Sequence, residues 1–185
     1  MRSTTWMGAG LVGAVALGCA GPTAPAPERA GTVAGPQLMV ENGIVEKVTG
    51  GGHFVHPVFG SVTFSFVALR HADGRVTGNL QQHQPAFGFT YKGNVTCFAV
   101  DPVNHRAWIG GVLTHSNDPD PITEVGDDVW FRVLDLGASN TGPDRSTFLG
   151  FEGAIVTSEE YCALKIWPDD NARTWPVEQG NISIH

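Results

Sequence analysis

The sequence predicts an all-β fold, an antiparallel meander of about seven to eight strands closed or partly closed into a barrel, with one short helix near residues 158–165. Three observations carry this reading. Apolar residues alternate with their neighbours at a period of two in one segment after another. Turn signals rich in Gly, Asp, Asn and Pro separate those segments at short intervals, as the 24 glycines and 12 prolines suggest. The longest segments also hold internal glycines, which let strands coil sharply. A β-sandwich satisfies the same pattern and stands as the alternative; the barrel is preferred because closure removes exposed strand edges.

The elements follow in chain order. Ile44 to Thr49 and His53 to His56 flank Gly50-Gly51-Gly52, which reads as one strand with a bulge or as two short ones. Val62, Phe64, Phe66 and Ala68 then alternate with Thr63, Ser65, Val67 and Leu69, a half-buried strand. His71-Ala72-Asp73-Gly74-Arg75 is the hairpin turn, because Asp and Gly both tolerate positive φ, and the chain returns from Val76 to Gln82. A long strand from about Phe87 to Val100 is expected to place Phe87, Phe89, Tyr91, Val95, Cys97 and Ala99 on one face. After a turn at Asp101-Pro102-Val103-Asn104, Arg106 to His115 is the next strand. Its paired Gly110 and Gly111 mark a bend, a bulge or a close crossing. Val129 to Leu136 and Gly180 to His185 complete the strands. Ser158 to Lys165 alone looks helical, with Ser158 as cap and Glu159-Glu160 at the positive end of the dipole.

The first residues are expected to be a targeting segment. Met1 and Arg2 lead into an uncharged run from Trp6 to Leu17, shorter than the about 20 apolar residues that a spanning helix needs. Small residues follow, as in a signal peptide over residues 1–18. The junction Ala16-Leu17-Gly18-Cys19-Ala20 resembles the lipobox of bacterial lipoproteins, although the leucine usually stands one place earlier, where this chain has Ala16. The resemblance implies a diacylglyceryl group on Cys19 and attachment to the cell envelope; secretion with cleavage near Ala20 is the alternative. Residues 19–40 hold Pro22, Pro25, Pro27 and Pro36 among Ala and Gly, with Glu28 and Arg29 the charges. That composition reads as an extended tether. Residues 41–185, roughly 145 in number, suffice for a single β-domain with a real core.

Export governs the cysteines. With Cys19 lipidated or removed, Cys97 and Cys162 remain, and an oxidising compartment favours a disulfide between them over two buried thiols. Such a bond would close a loop of roughly 65 residues and stabilise by about 4 kcal/mol on the chain-entropy model. A net charge of −7 and the lack of any Lys/Arg cluster argue against a nucleic-acid partner.

Three segments share a further likeness: Val62-Thr63-Phe64-Ser65-Phe66 leading into His71-Ala72-Asp73-Gly74, then Gly93-Asn94-Val95-Thr96-Cys97, then Ala107-Trp108-Ile109-Gly110-Gly111-Val112. Together they resemble a group of small secreted bacterial β-proteins for which no activity is established. In that group a cysteine after G-x-V-T and an A-x-I-G-G strand recur. The likeness covers most of residues 50–136, with an echo in Gly180-Asn181-Ile182, and implies export, β structure and a link through Cys97. It carries over no catalytic residue.

Familiar catalytic patterns are not found: no G-x-S-x-G, H-E-x-x-H or G-x-x-x-x-G-K, and no C-x-x-C for zinc. The seven histidines are His53, His56, His71, His83, His105, His115 and His185. His71, His83, His105 and His115 fall near strand ends, where a metal or proton-transfer site could gather, but solvated loop histidines fit the spacing as well. His53 and His56 should lie on opposite strand faces. The acidic loop from Asn117 to Asp128 is the best candidate site, with Asp118, Asp120, Asp127 and Asp128 as weak calcium ligands; its spacing is not that of an EF-hand. Trp108, Trp130, Trp167 and Trp175 could line a ligand cavity or fill the core. The leading expectation is a surface-tethered, non-enzymatic β-domain that binds a small apolar ligand or a protein partner, with no cofactor. The alternatives are a purely structural envelope lipoprotein, and an enzyme with a His/Asp site at a barrel mouth.

Overall fold

The computed structural model describes residues 43–137, 141–151, 157–166 and 173–185. The signal segment, Cys19, the tether and Trp167 lie outside them. The strands are β1 (Ile44–His56), β2 (Gly60–His71), β3 (Val76–Gln84), β4 (Phe89–Asp101), β5 (Arg106–Ser116), β6 (Asp128–Leu134), β7 (Arg145–Thr147), β8 (Gly150–Phe151), β9 (Thr174–Pro176) and β10 (Gln179–Ile184), with one helix, α1 (Ser158–Leu164). Nine strands follow one another in the antiparallel order β10-β1-β2-β3-β4-β5-β6-β7-β9, and β8 adds to β6. The sheet curls into an open half-barrel.

Alternation sets the inner face. Val62, Phe64, Phe66 and Ala68 of β2 are buried while Ser61, Thr63 and Ser65 between them are exposed, and they join Val48, Phe54, Leu80, Val95, Ile109, Phe131 and Ile182 in one core. β1 runs through Gly50-Gly51-Gly52 with unbroken pairing to β2, and its register shift falls at Ile44/Glu46 instead. The glycines answer a different need: a Cβ on Gly50 would sit 2.6 Å from the Phe66 ring. The β2–β3 turn also differs from a two-residue hairpin. His71 N–H donates to Arg75 C=O, Gly74 N–H to His71 C=O, and of the turn residues Gly74 alone has positive φ, at 84°. This is a three-residue loop with glycine in the left-handed position.

β4 departs from the expected single face. Val95 pairs with Gly111 and Cys97 with Gly110, so Thr96 is an extra residue, a bulge. The bulge reverses the alternation, turning Phe98 into the core and Cys97 and Ala99 outward. Phe87 lies in the turn before β4 and is half exposed. Paired Gly110 and Gly111 serve both the bulge and a close crossing. A Cβ on Gly111 would strike Asn94 O, and one on Gly110 would lie 2.7 Å from Cys97 Sγ and 2.9 Å from Ser158 Cβ at the start of α1.

α1 packs on the outer face of β4, β5 and β6. Thr157, not Ser158, is its cap: Thr157 Oγ1 accepts from Glu160 N–H, and the Glu160 carboxylate accepts from Thr157 N–H. Ser158 is buried and donates to Asp128 Oδ1 at 2.6 Å. A disulfide joins Cys97 to Cys162 and pins the helix to β4. Beneath it, Trp108, Trp130, Tyr161 and Ile166 form a second apolar cluster, so β5 and β6 are buried on both faces. Burial pushes the Tyr161 hydroxyl well above its ordinary pKa, with the Arg132 charge opposing.

The open edge of β10 has partners of another kind. Ile182 N–H donates to Asp144 Oδ2 at 2.7 Å, and Ile184 N–H to Asp135 Oδ2 at 3.1 Å. Asp144 Oδ1 takes Gly137 N–H, and its carbonyl takes Val177 N–H. Carboxylates on the far side of the half-barrel thus bridge its gap.

Candidate functional site

Antiparallel order brings the ends of β1, β3 and β5 and the starts of β2, β4 and β6 to one rim. There, turns and short strand ends place aromatic rings at the margin of the core. Phe59 precedes β2, Phe87 sits in the β3–β4 turn, and Phe148 and Phe151 follow β7. With Phe89 and Tyr91 of β4 they line a cleft of about 240 Å³ that opens to solvent. At ~30 Å³ per water this is on the order of eight water molecules, below the size of most drug-like sites. Ring contacts tie the wall together: Phe59 stacks on Phe148 at 4.6 Å and meets Phe87 at 5.9 Å, Phe87 stacks on Phe89 at 5.8 Å, and Tyr91 meets Phe151 at 5.0 Å.

The polar side of the cleft is the acidic loop. Pro121–Thr123 forms a single 3-10 turn capped by the Asp120 side chain on Ile122 N–H. Thr123 is buried and donates to Asp120 O. Asn117 fastens the loop to the β3–β4 turn and the start of β4 on the same rim, accepting from Thr90 N–H at 2.6 Å and donating to Gly88 O at 3.0 Å. Asp118 Oδ2 accepts from Tyr91 Oη at 2.5 Å, and buried Gln84 donates to the same hydroxyl. Burial first, and the Asp118 carboxylate second, push the Tyr91 pKa far up, so Tyr91 stays a donor. Asp118 and Asp120 therefore line the cleft with a hydrogen-bonded loop holding them in place.

A histidine stands behind this wall. His56 packs against Phe59 at 4.7 Å, Trp175 at 4.3 Å and Phe148 at 5.5 Å, and its Nδ1 accepts from the N–H groups of Val58 and Phe59. Burial lowers its pKa below 6.5.

Other expected site residues are dispersed. Asp127 caps Glu124 N–H, and Asp128 accepts from Ser158 on the helix side, so the four calcium candidates do not share one centre. Among the described residues, no three His, Cys, Asp or Glu side chains gather as a metal set. His53 pairs with Glu178, His71 with Thr77 and His83 with Phe89 O and Thr90, while His105 lies in the β4–β5 turn and His115 is exposed. The histidines near strand ends do not converge. Of the two expectations for the tryptophans, core filling holds for Trp108 and Trp130, which lie under α1, while Trp175 stacks on Phe54 and meets His56 at a tilt. Phenylalanines make the site. Sequence reading missed Phe59, Gln84, Phe148 and Phe151. The usable signal was a bulky ring inside a turn, as in Pro57-Val58-Phe59-Gly60 and Pro85-Ala86-Phe87-Gly88.

Comparison of the chain with protein-family models, with curated proteins and with solved structures returned no match. Among the described residues no helix is long and apolar enough to cross a membrane.

Proposed function

We propose that this chain is a non-enzymatic β-domain, tethered at the cell surface through a lipid on Cys19, that binds a small apolar molecule in the aromatic cleft. The observation that carries the reading is the cleft itself: Phe59, Phe87, Phe89, Tyr91, Phe148 and Phe151 line one open site at the margin of the core. Grouped aromatic rings reaching solvent suggest a binding role more than a stabilising one. The extended composition of residues 19–40 fits a domain that must reach away from its anchor.

Two other readings each have one observation in favour. Val58, Phe87 and Ile122 around the same rim are 72%, 50% and 44% exposed, which suits a protein partner. The filled interior below the rim suits a purely structural envelope protein. Titration with tert-butylbenzene, followed by aromatic NMR shifts, separates them. Saturable shifts confined to Phe59, Phe87 and Phe148 are expected. Phe87→Ala should weaken binding about 3- to 10-fold, the value of one aromatic contact. Shifts that never saturate, or an unchanged affinity in the variant, would refute the cleft. For the anchor, mass spectrometry of protein from its own membrane fraction should find a diacylglyceryl mass on Cys19; an unmodified N-terminus after Ala20 would refute it.

A further inference from the structure

The cleft carries charge as well as rings. Asp118 and Asp120 line it, and the ion pairs found among the described residues, Arg70–Glu46, Arg75–Asp73 and His53–Glu178, lie elsewhere. Neither cleft aspartate has a Lys or Arg within salt-bridge reach among those residues. What they do have is local: Asp118 takes the Tyr91 hydroxyl and Asp120 N–H, and Asp120 caps Ile122. Hydrogen bonds orient a carboxylate and leave its charge in place. Phe59, Phe87 and Phe148 line the same cleft and give it apolar aromatic surface. The cleft therefore combines negative charge, from the carboxylates, with apolar aromatic surface.

We propose that the occupant of this cleft is a small organic ammonium ion with an apolar body, its cationic nitrogen beside the carboxylates of Asp118 and Asp120 and its apolar body against Phe59, Phe87 and Phe148. The inference rests on the binding role proposed above and narrows it. A neutral hydrocarbon would use the rings and leave the carboxylates unused. An anion would be opposed by the two carboxylates and by the net charge of −7. A strongly hydrated metal ion gains little from phenylalanine faces, whereas an alkylated ammonium is poorly hydrated and is held well by aromatic surfaces. Asn117, bridging the acidic loop to the β3–β4 turn, keeps the two walls at a fixed separation, so the site is formed before the ligand arrives.

Three probes of nearly one shape test this on the full chain: phenyltrimethylammonium, its neutral carbon isostere tert-butylbenzene, and benzenesulfonate. The cation should bind about tenfold more tightly than the neutral isostere, weaken with added salt, and outcompete the sulfonate. Asp118→Asn keeps one of its two oxygen acceptors, for Asp120 N–H, and its amide N–H can donate to the Tyr91 hydroxyl in return, while Asp120→Asn keeps an acceptor for Ile122 N–H, so each should fold. In each, cation affinity should fall by about two- to fivefold while tert-butylbenzene affinity stays put. Asp73→Asn, on the remote β2–β3 turn, removes the same charge and should change neither. Equal affinity for cation and neutral probe overturns the ammonium assignment and leaves apolar binding standing. Failure of all three probes overturns both. A loss in Asp73→Asn equal to that in Asp118→Asn would reduce the effect to net charge and overturn the site.

Discussion

Two residues show how much a single atom decides here. Gly110 has ordinary backbone angles, yet a Cβ there would meet Cys97 Sγ at 2.7 Å and Ser158 O at 2.9 Å. Gly110→Ala must push α1 off the sheet, and we expect a loss of about 1–3 kcal/mol in chemical unfolding, with a weakened near-ultraviolet signal from Trp108. Stability equal to the parent's would contradict the tight crossing. His56 acts through its proton. Its folded pKa lies below its unfolded value of 6.5, so below that pH the unfolded chain binds more protons than the folded one. The stability linked to His56 is therefore present above pH 6.5 and declines as pH falls through the lowered value. Melting of His56→Phe against the parent, from pH 8 to pH 5, should show the parent losing more on acidification; parallel curves would refute the linkage. At this scale the sequence told which residue types were present but not how they meet. The ring cluster at the rim draws on Phe59, Phe87 and Phe148 from three distant turns, and no local pattern announces it.

The strands with a clear period of two were the legible elements. β2 matches its alternation because it has one face in the core and one outside. β5 and β6 were recognisable by composition although alternation fails there, since α1 covers their second face. The bulge at Thr96 was hidden, because one extra residue leaves the sequence β-like while reversing which side chains face inward. β7, β8 and β9 span only two or three residues and carry too short a pattern to read. α1 shows what one covalent link contributes. Seven residues form too short a helix to persist alone, even with a capping box. Replacing Cys97 and Cys162 together with Ala should lower stability by about 2–5 kcal/mol. Hydrogen exchange should find residues 157–166 exposed before the strands; protection lost everywhere at once would show that the helix does not open separately.

Over the whole molecule, the meander from β1 to β6 followed from the order of turns, whereas the closing of the gap did not. Sheet continuity is written in side-chain periodicity, but the seam depends on two carboxylates reaching backbone N–H groups across a long connection. Asp144 is the more exacting of the two, holding Ile182 N–H and Gly137 N–H with separate oxygens. Asp144→Ala leaves both donors without that acceptor, and a loss of about 3 kcal/mol is expected, with Asp144→Asn recovering part of it. A change under about 0.5 kcal/mol, the scatter of ordinary surface substitutions, would show that the seam holds without it.

That seam also bears on how copies of the protein behave beside one another. A bare β10 would offer a row of backbone donors to any extended segment of a neighbour, the usual start of edge-to-edge stacking. With Asp135 and Asp144 already seated on Ile184 and Ile182, an incoming strand would have to displace charged acceptors and strand two buried anions to pair there. The aspartates that hold the half-barrel together thus also guard it against growth into fibres.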